Sequence, residues 1–184
     1  DNPKTSGDVR RIIAVGRLDH QKGFDLLLDA FARVAPGTPD ATLTIFGEGP
    51  KRKSLEAQAK ALGIGARVSL PGVTETPGDW MDAGDIFVLS SRFEGFPNVL
   101  VEALASGFTA IAFDCPRGPS SIVTSGVNGI LVPQEDVNKL AEAMKSLVND
   151  AEKRDALGKA APESVHRFSL PRVLTQWDEV ITEG

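Results

Sequence analysis

The chain has 184 residues, of which 41% are apolar and 24% charged, the composition of an ordinary globular protein. Its 20 Lys and Arg against 25 Asp and Glu give a net charge of −5, which argues against nucleic-acid binding by phosphate neutralisation. The single cysteine, Cys115, excludes an internal disulfide or a thiolate zinc cage, so we expect a cytoplasmic protein. No stretch is apolar for the roughly 18 residues that a membrane-spanning helix needs.

Short β-branched runs alternate along the chain with longer stretches of helical period, which predicts βα units around a parallel sheet. Strands are predicted at 12–15, 41–46, 68–70, 85–89, 109–113 and 129–132. Helices are predicted at 24–34, 50–62, near 80–81, and at 98–105, 137–148, 151–165 and 170–181. The expected fold class is α/β, a Rossmann-like doubly wound parallel sheet of six strands with helices on both faces.

Ligands of such sheets bind at the carboxyl ends of the strands, so the loops that follow the strands carry the candidate functional residues. The loop after the first strand holds Arg17 and Lys22 beside a helix N-terminus, which suits a phosphate or a diphosphate. The alternative is a pair of solvated loop cations. The spacing of a P-loop does not occur here.

The loop after the fourth strand places Glu94 before a predicted helix and Glu102 within it. The neighbours of Glu102 are apolar nearly all round the helix, which predicts that this carboxylate is buried. A buried carboxylate needs a cation or hydroxyl donors. The partner of Glu102 is therefore a facing Arg or Lys, or the two hydroxyls of a ribose, and the spacing does not choose between them.

The N-terminus of the same helix, around Pro97, Asn98 and Val99, is expected to present free backbone N–H groups and the positive end of its dipole. Arg17, Lys22 and this helix end would give three sources of positive potential at one place. A nucleoside diphosphate is the simplest ligand that would interact with all three.

For the other glycine, histidine, cysteine and tryptophan candidates, a structural role is the first expectation. Arg52 stands where a dinucleotide fingerprint has its third glycine, so Gly47 is expected in a tight turn near the ligand. The two histidines are too few and too separated for a metal cluster, and only His20 lies in a promising loop. Burial or core packing is the expectation for the remaining candidates, Cys115, Trp80 and Trp177.

Several motifs occur together, in this order, between about Ile12 and Ile181: Val15-Gly16-Arg17-Leu18 with Lys22-Gly23, Phe46-Gly47-Glu48-Gly49-Pro50, the E-x7-E motif from Glu94 to Glu102 with Ala103-Leu104-Ala105-Ser106-Gly107, and Asn128-Gly129-Ile130-Leu131-Val132-Pro133. With these motifs the chain resembles the C-terminal, donor-binding domain of a retaining glycosyltransferase of family 4. These are the group 1 glycosyltransferases, which have the two-domain GT-B fold.

The resemblance implies roles for individual residues. Those matching Arg17 and Lys22 bind the diphosphate of the donor and stabilise the leaving nucleoside diphosphate. The match of Glu94 lies at the donor sugar beside the reacting centre, and that of Glu102 holds the ribose hydroxyls. The other implied donor-binding residues lie in the surrounding loops: Gly16, Gly47, Val73, Thr74, Gly95, Phe96, Pro97, Asn98 and Val99.

The implied reaction retains the configuration at the anomeric carbon and needs neither a metal nor a cofactor. The implied donor is a nucleotide sugar, and the family suggests a UDP-sugar. The implied acceptor is a glycan or a lipid-linked molecule. Two positions depart from the family pattern: Phe108-Thr109 stands in place of an apolar residue and proline, and Ser121 stands in place of a glutamate.

Residues 1–10 are expected to be a linker from an N-terminal acceptor domain, and residues 11–184 the donor-binding domain. Without the acceptor domain we expect weak donor binding and no transfer. The full protein is expected in the cytoplasm or peripherally at the inner face of the cytoplasmic membrane. The competing interpretations are a non-catalytic module that binds nucleotide sugars and, more remotely, a Rossmann oxidoreductase or a receiver-like domain.

Overall fold

A computed structural model describes residues 10–76, 78–116, 118–169, 171–172 and 174–175. The strands are β1 Arg10–Val15, β2 Ala41–Phe46, β3 Val68–Gly72, β4 Ile86–Leu89, β5 Thr109–Asp114 and β6 Gly129–Pro133. They form one sheet of six strands in the order β3-β2-β1-β4-β5-β6, and every neighbouring pair is parallel. The direction of strand addition reverses between β1 and β4, the point where doubly wound sheets open a crevice.

Five α-helices connect these strands or follow them in the described residues: α1 Phe24–Val34, α2 Arg52–Ala61, α3 Asn98–Ala105, α4 Val137–Asn149 and α5 Ala151–Val165. In α1 the predicted apolar stripe is buried, including Phe24, Leu27 and Phe31. The prediction that Pro50 is the first helical residue is wrong. Gly49 accepts the N–H of Arg52, so Pro50 lies in a turn and α2 begins at Arg52.

The core lies in two layers because successive residues of a strand point to opposite faces of the sheet. Ile12 packs with the layer under α1, α2 and α4, whereas Ile13 packs with the layer under α3 and α5. The second layer contains an aromatic cluster in which the ring of Trp80 lies 5.8 Å from those of Phe87 and Phe108. Helices therefore cover both faces, and the expected doubly wound α/β fold is confirmed.

The predicted helix over 170–181, including Trp177, lies mostly outside the described residues. The same holds for the expected linker, except that Arg10 already belongs to β1. None of the helices in the described ranges is long and apolar enough to cross a membrane.

Candidate functional site

The candidate site lies at the carboxyl edge of the sheet, where the loops after β1, β2, β3 and β4 meet. The first two loops are joined by backbone hydrogen bonds: the N–H of Gly16 donates to Phe46 at 3.0 Å, and that of Leu18 donates to Glu48 at 2.9 Å. Gly47 has a φ of 140°, and a Cβ there would overlap the carbonyl oxygen of Gly16. Only glycine permits this approach. The turn of this loop lies later, from Gly49 to Arg52, whereas the N–H of Gly47 donates to the Gly72 carbonyl at the end of β3.

Lys22 and Glu94 are brought together by the structure. The Nζ of Lys22 lies 2.7 Å from Oε1 of Glu94, and the Ser91 hydroxyl donates to the same oxygen at 2.7 Å. Their side chains are largely buried, with 18% of Lys22 and 6% of Glu94 exposed. The carboxylate is therefore held in one place by a cation and a hydroxyl before any ligand enters.

The stem of Lys22 is fixed as well as its charged end. Its methylene carbons pack 3.1 to 3.2 Å from the position that a Cβ on Gly16 would occupy. Its backbone N–H donates to the carboxylate of Asp19 at 3.3 Å. The ammonium group therefore stands over the turn that begins directly after β1.

Arg17 is in a different state from Lys22. Its side chain is 73% exposed, and its closest carboxylate is that of Asp19, 3.7 Å from the Nε atom. An exposed pair at this distance contributes little to stability. The guanidinium is thus available to an anion arriving at the crevice, whereas Lys22 must share its charge with Glu94.

The N-terminus of α3 is only partly as predicted. Pro97 caps it without a side-chain bond and has no N–H, and the N–H of Asn98 already donates to Phe96 at 3.0 Å. The N–H groups of Gly95, Phe96 and Val99 have no acceptor within the part of the chain that the structure describes. These three amides are the donors that the loop and helix end offer to an anion.

The predicted burial of Glu102 is wrong. Asn98, Glu102 and Ala105 are all exposed, and they lie at i, i+4 and i+7 on one side of α3. The helix buries Leu100, Ala103 and Leu104 on its other side. In the described residues neither Arg nor Lys pairs with Glu102, so its carboxylate is open to solvent.

An open cavity of about 330 Å³ adjoins the end of β1, and Val15 and Arg17 belong to its lining. Phe46, Val73 and Trp80 give it apolar walls, and Gly16, Gly47 and Thr74 belong to its lining. Val73 is 73% exposed, so much of its apolar surface is uncovered. Val73 and Thr74, two of the implied donor-binding residues, therefore border a cavity that can accept a flat, partly apolar group.

Two arginines outside the predicted site, Arg52 and Arg92, hold these loops. Arg52 donates to the Glu48 carboxylate at 2.6 Å and to the Leu70 carbonyl at 2.8 Å, and so fixes the loop after β2 beside the end of β3. Arg92 donates to Asp25 at 2.7 Å, with 11% of its side chain exposed. The pair of Arg52 and Glu48 has i, i+4 spacing, but spacing along the chain gives no signal for the contacts of Arg92, because Asp25 lies 67 positions away in sequence.

The remaining candidates behave as expected where the structure describes them. His20 and His166 are exposed, and Cys115 is buried. Burial, followed by the negative charge of Glu94, raises the pKa of the Cys115 thiol, which keeps it protonated and unreactive. Phe108 is fully buried in the aromatic cluster, and Ser121 is exposed, with its hydroxyl donating to Gly118 at 2.7 Å. Within the described ranges no three His, Cys, Asp or Glu side chains gather into a metal-binding group.

The sheet order and the loops at its crevice define a Rossmann-like α/β domain of the kind found in GT-B glycosyltransferases. The chain belongs to the glycosyl transferases group 1 family, whose model matches residues 2–164. The predicted resemblance to group 1 glycosyltransferases is therefore confirmed.

Two curated relatives illustrate the range of the family. The chain is 36% identical over 182 residues to an exopolysaccharide phosphotransferase of Streptomyces coelicolor, covering 98% of this chain and 19% of that protein. It is 32% identical over 166 residues to a lipopolysaccharide core biosynthesis glycosyltransferase of Rhizobium meliloti, covering 90% of this chain and 47% of that protein. The chain thus spans less than half the length of either relative.

Solved structures agree with the fold. A G117R mutant of Staphylococcus aureus TarM, crystallised with fondaparinux, alpha-GlcNAc-glycerol and UDP, superposes with a TM-score of 0.87 at 25% identity, covering 92% of this chain and 35% of that chain. Anabaena HepE in complex with UDP gives a TM-score of 0.87 at 26% identity, covering 95% of this chain and 49% of that chain.

Proposed function

We propose that the chain is the donor-binding domain of a family 4 glycosyltransferase that moves a hexose from a nucleoside diphosphate sugar, with UDP as the nucleotide. One observation carries the proposal: Lys22, Arg17 and the free amides of the Glu94 loop surround the crevice between β1 and β4, next to an open cavity with apolar walls. A nucleoside diphosphate sugar has a diphosphate between two bulky groups, which matches that arrangement. UDP in the neighbouring structures supports the choice of nucleotide.

The positive groups bind the diphosphate and stabilise its charge as the bond to the sugar breaks. Arg17 is exposed and closes on the phosphates when they arrive, whereas Lys22 is already in position. The amides of Gly95, Phe96 and Val99 add donors from the other side of the crevice. These groups supply the electrostatic stabilisation that a divalent cation provides in other transferases, so we propose that the reaction is metal-independent.

Glu94 lies at the sugar end of this arrangement. Its carboxylate is held by Lys22 and Ser91, and we propose that it positions the sugar while the anomeric bond breaks with retention of configuration. Glu102 is solvent-facing and lacks a described cationic partner, which suits an acceptor for the two ribose hydroxyls. The base enters the cavity bordered by Val73 and Thr74.

The acceptor is proposed to be a glycan or a lipid-linked molecule, bound by a further domain on the N-terminal side. The greater length of the relatives leaves room for such a domain. In that assembly the crevice closes between two domains, and the complete enzyme works in the cytoplasm or at the inner face of the cytoplasmic membrane. Alone, the chain binds donor weakly and transfers nothing.

Calorimetric titration with UDP, GDP and ADP, with and without Mg²⁺, tests the proposal. We expect UDP to bind without metal, and Arg17→Ala to weaken that binding. Glu142→Gln, an exposed carboxylate on α4, serves as the control and leaves the affinity unchanged. Binding of none of the three nucleotides by the chain, or by a longer protein that contains it, would falsify the proposal. Binding with no transfer by the longer protein would favour a non-catalytic module.

A further inference from the structure

We propose that Arg92 is a positioning residue that holds the loop of Lys22 against the loop of Glu94 and thereby sets the affinity for the diphosphate. The ligand in this inference rests on the proposed function. The geometry of the two loops does not depend on it.

Arg92 reaches the loop after β1 with both its side chain and its backbone. Nη1 donates to the His20 carbonyl at 2.8 Å and to Asp25 at 2.9 Å, and Nη2 donates to the other oxygen of Asp25 at 2.7 Å. The backbone N–H of Arg92 donates to the Gln21 carbonyl at 2.8 Å. These bonds fix the residues directly before Lys22 on one side and the first turn of α1 on the other.

Arg92 also holds a third loop, the one that follows β6. Its Nε donates to Glu135 at 3.1 Å, and its carbonyl accepts from Gln134 at 2.7 Å. Glu135 has a φ of 57°, a left-handed conformation that residues other than glycine rarely adopt. The β6 loop thus places a second carboxylate against the guanidinium.

Two further hydrogen bonds hold the same two loops in the position that the ion pair of Lys22 and Glu94 requires. The Ser90 hydroxyl donates to the Lys22 carbonyl at 2.9 Å, and Gln21 Nε2 donates to the Phe93 carbonyl at 3.0 Å. The loops after β1 and β4 are not part of the sheet. Side-chain hydrogen bonds to backbone carbonyls therefore hold them together instead of a β-ladder. Arg92 joins the loops after β1, β4 and β6, and only 11% of its side chain is exposed.

Arg92 is not itself placed to bind phosphate. Its guanidinium is engaged by Asp25 and Glu135, and only 11% of its side chain is exposed. A planar fork reaches a carboxylate, a carbonyl and a second carboxylate at once, whereas the ammonium of a lysine acts as a point charge. Arg92→Lys therefore keeps the charge and loses most of the positioning.

Arg67 provides a matched control. It lies directly before β3, at the amino edge of the sheet, and Nη1 donates to the Thr38 carbonyl at 2.8 Å. It also lies over the Phe31 ring, 5.6 Å from the centroid. Arg67→Ala removes a comparable arginine and its backbone contact, but from the edge opposite the site.

The test compares Arg92→Ala, Arg92→Lys and Arg67→Ala with the unmodified chain in three measurements, of which thermal unfolding reports the stability. Amide hydrogen exchange in the ligand-free chain reports whether segments 20–23 and 91–95 stay closed. UDP titration reports the affinity. We expect Arg92→Ala to accelerate exchange in both segments and to weaken UDP binding about tenfold. Arg92→Lys regains thermal stability but not affinity, and Arg67→Ala changes neither the exchange in these segments nor the affinity.

Unchanged exchange at 20–23 and 91–95 in Arg92→Ala overturns the inference whatever the nucleotide result. So does a UDP affinity within twofold of the unmodified chain. If the unmodified chain and the longer protein bind no nucleotide, the proposed function fails, and the exchange measurement alone decides the role of Arg92. If Arg92→Ala does not fold, Asp25→Asn replaces it, because that change removes the charge opposite the guanidinium and keeps the shape of the side chain.

Discussion

The Nζ of Lys22 lies 2.7 Å from a carboxylate oxygen of Glu94, although 72 positions separate the two residues and they follow different strands. In the ligand-free site each charge is therefore partly cancelled by the other. An arriving diphosphate competes with Glu94 for the ammonium group of Lys22. Removing the charge of Glu94 should therefore strengthen UDP binding, whereas removing that of Lys22 should lower stability.

Glu94→Gln is expected to bind UDP several-fold more tightly than the unmodified chain. The amide keeps the shape of the side chain but removes a negative charge next to the phosphates and frees the ammonium of Lys22. Calorimetric titration measures the change, and Glu142→Gln again controls for net charge. Equal or weaker UDP binding by Glu94→Gln would contradict this competition. In the longer protein the same change is expected to abolish transfer.

Lys22→Ala is expected to lower the free energy of unfolding by about 3 kcal/mol, because it leaves a nearly buried carboxylate with only the Ser91 hydroxyl as a partner. Adding Glu94→Gln to that variant should restore part of the loss. Urea denaturation measures both effects. Lys139→Ala removes a solvent-exposed lysine paired with Glu142 and should cost far less than Lys22→Ala, because water screens an exposed pair. Equal losses in the two lysine variants would show that burial of the Glu94 pair has no energetic weight.

Glu102→Ala is expected to leave stability within about 0.5 kcal/mol of the unmodified chain, because its carboxylate is exposed. Its effect should appear in the choice of nucleotide. The unmodified chain should bind UDP more tightly than 2′-deoxy-UDP, and Glu102→Ala should bind the two equally. Parallel titrations with both nucleotides measure this difference. A preference for the ribonucleotide that survives the substitution would remove Glu102 from the ribose site.

Gly47→Ala is expected to destabilise the chain by about 3 kcal/mol or more and to abolish UDP binding. The added Cβ overlaps the carbonyl oxygen of Gly16, and alanine disfavours a φ of 140°. Gly37→Ala is the control away from the site, since a Cβ there meets nothing within 4 Å. Thermal unfolding followed by titration compares them. Comparable losses in the two variants would mean that the close approach of the first two loops is not what makes Gly47 necessary.

The ion pair of Asp25 and Arg92 predicts a pH dependence of stability. Burial alone would raise the pKa of Asp25, but the hydrogen bonds and charge of Arg92 outweigh it and hold that pKa below its ordinary value of 3.8. The unfolded chain then binds more protons in this range, so the stabilisation is complete above about pH 5 and is lost as the pH falls through the folded pKa.

Urea denaturation of the unmodified chain and Asp25→Asn between about pH 6 and pH 3 measures this effect. The unmodified chain should be the more stable at the upper end, by less than about 1 kcal/mol because Asp25 is half-exposed. The difference should narrow on acidification. A difference that stays constant over the range would show that Asp25 does not titrate in contact with Arg92.

The fold was predictable from the sequence because its signals are local. The alternation of short apolar runs with amphipathic stretches, such as the stripe from Phe24 to Val34, sets the order of strands and helices. The prediction failed for Glu102, where the side of a short helix that faces the sheet had to be inferred from a few residues. The neighbours of Glu102 are apolar, yet one side of α3 is left uncovered at Asn98 and Ala105, and the sequence does not say which side the sheet covers.

The site was predictable only as a set of loops. The position of Arg17 and Lys22 after β1, and of Glu94 after β4, follows from the rule that the carboxyl ends of parallel strands share one edge. Side-chain directions in irregular loops determine the contact between Lys22 and Glu94. They also determine the hydrogen bonds that Arg92 makes with the loops after β1 and β6. No periodic pattern encodes those directions, and the bonds from Arg92 to the β1 loop and from Arg52 to the Leu70 carbonyl join residues that are distant in sequence.

β1 and β4 share a short ladder that pairs Ile12 with Ile86 and Ile13 with Phe87, whereas β1 and β2 pair from Arg10 to Val15. No ladder pair beyond Ile13 and Phe87 is present in the described residues, although β1 continues to Val15 and β4 to Leu89. The carboxyl ends of the two central strands are therefore not joined by a ladder, which leaves room for the two loops that follow them to face each other. A longer ladder would make the sheet more regular and close the space in which a ligand can lie.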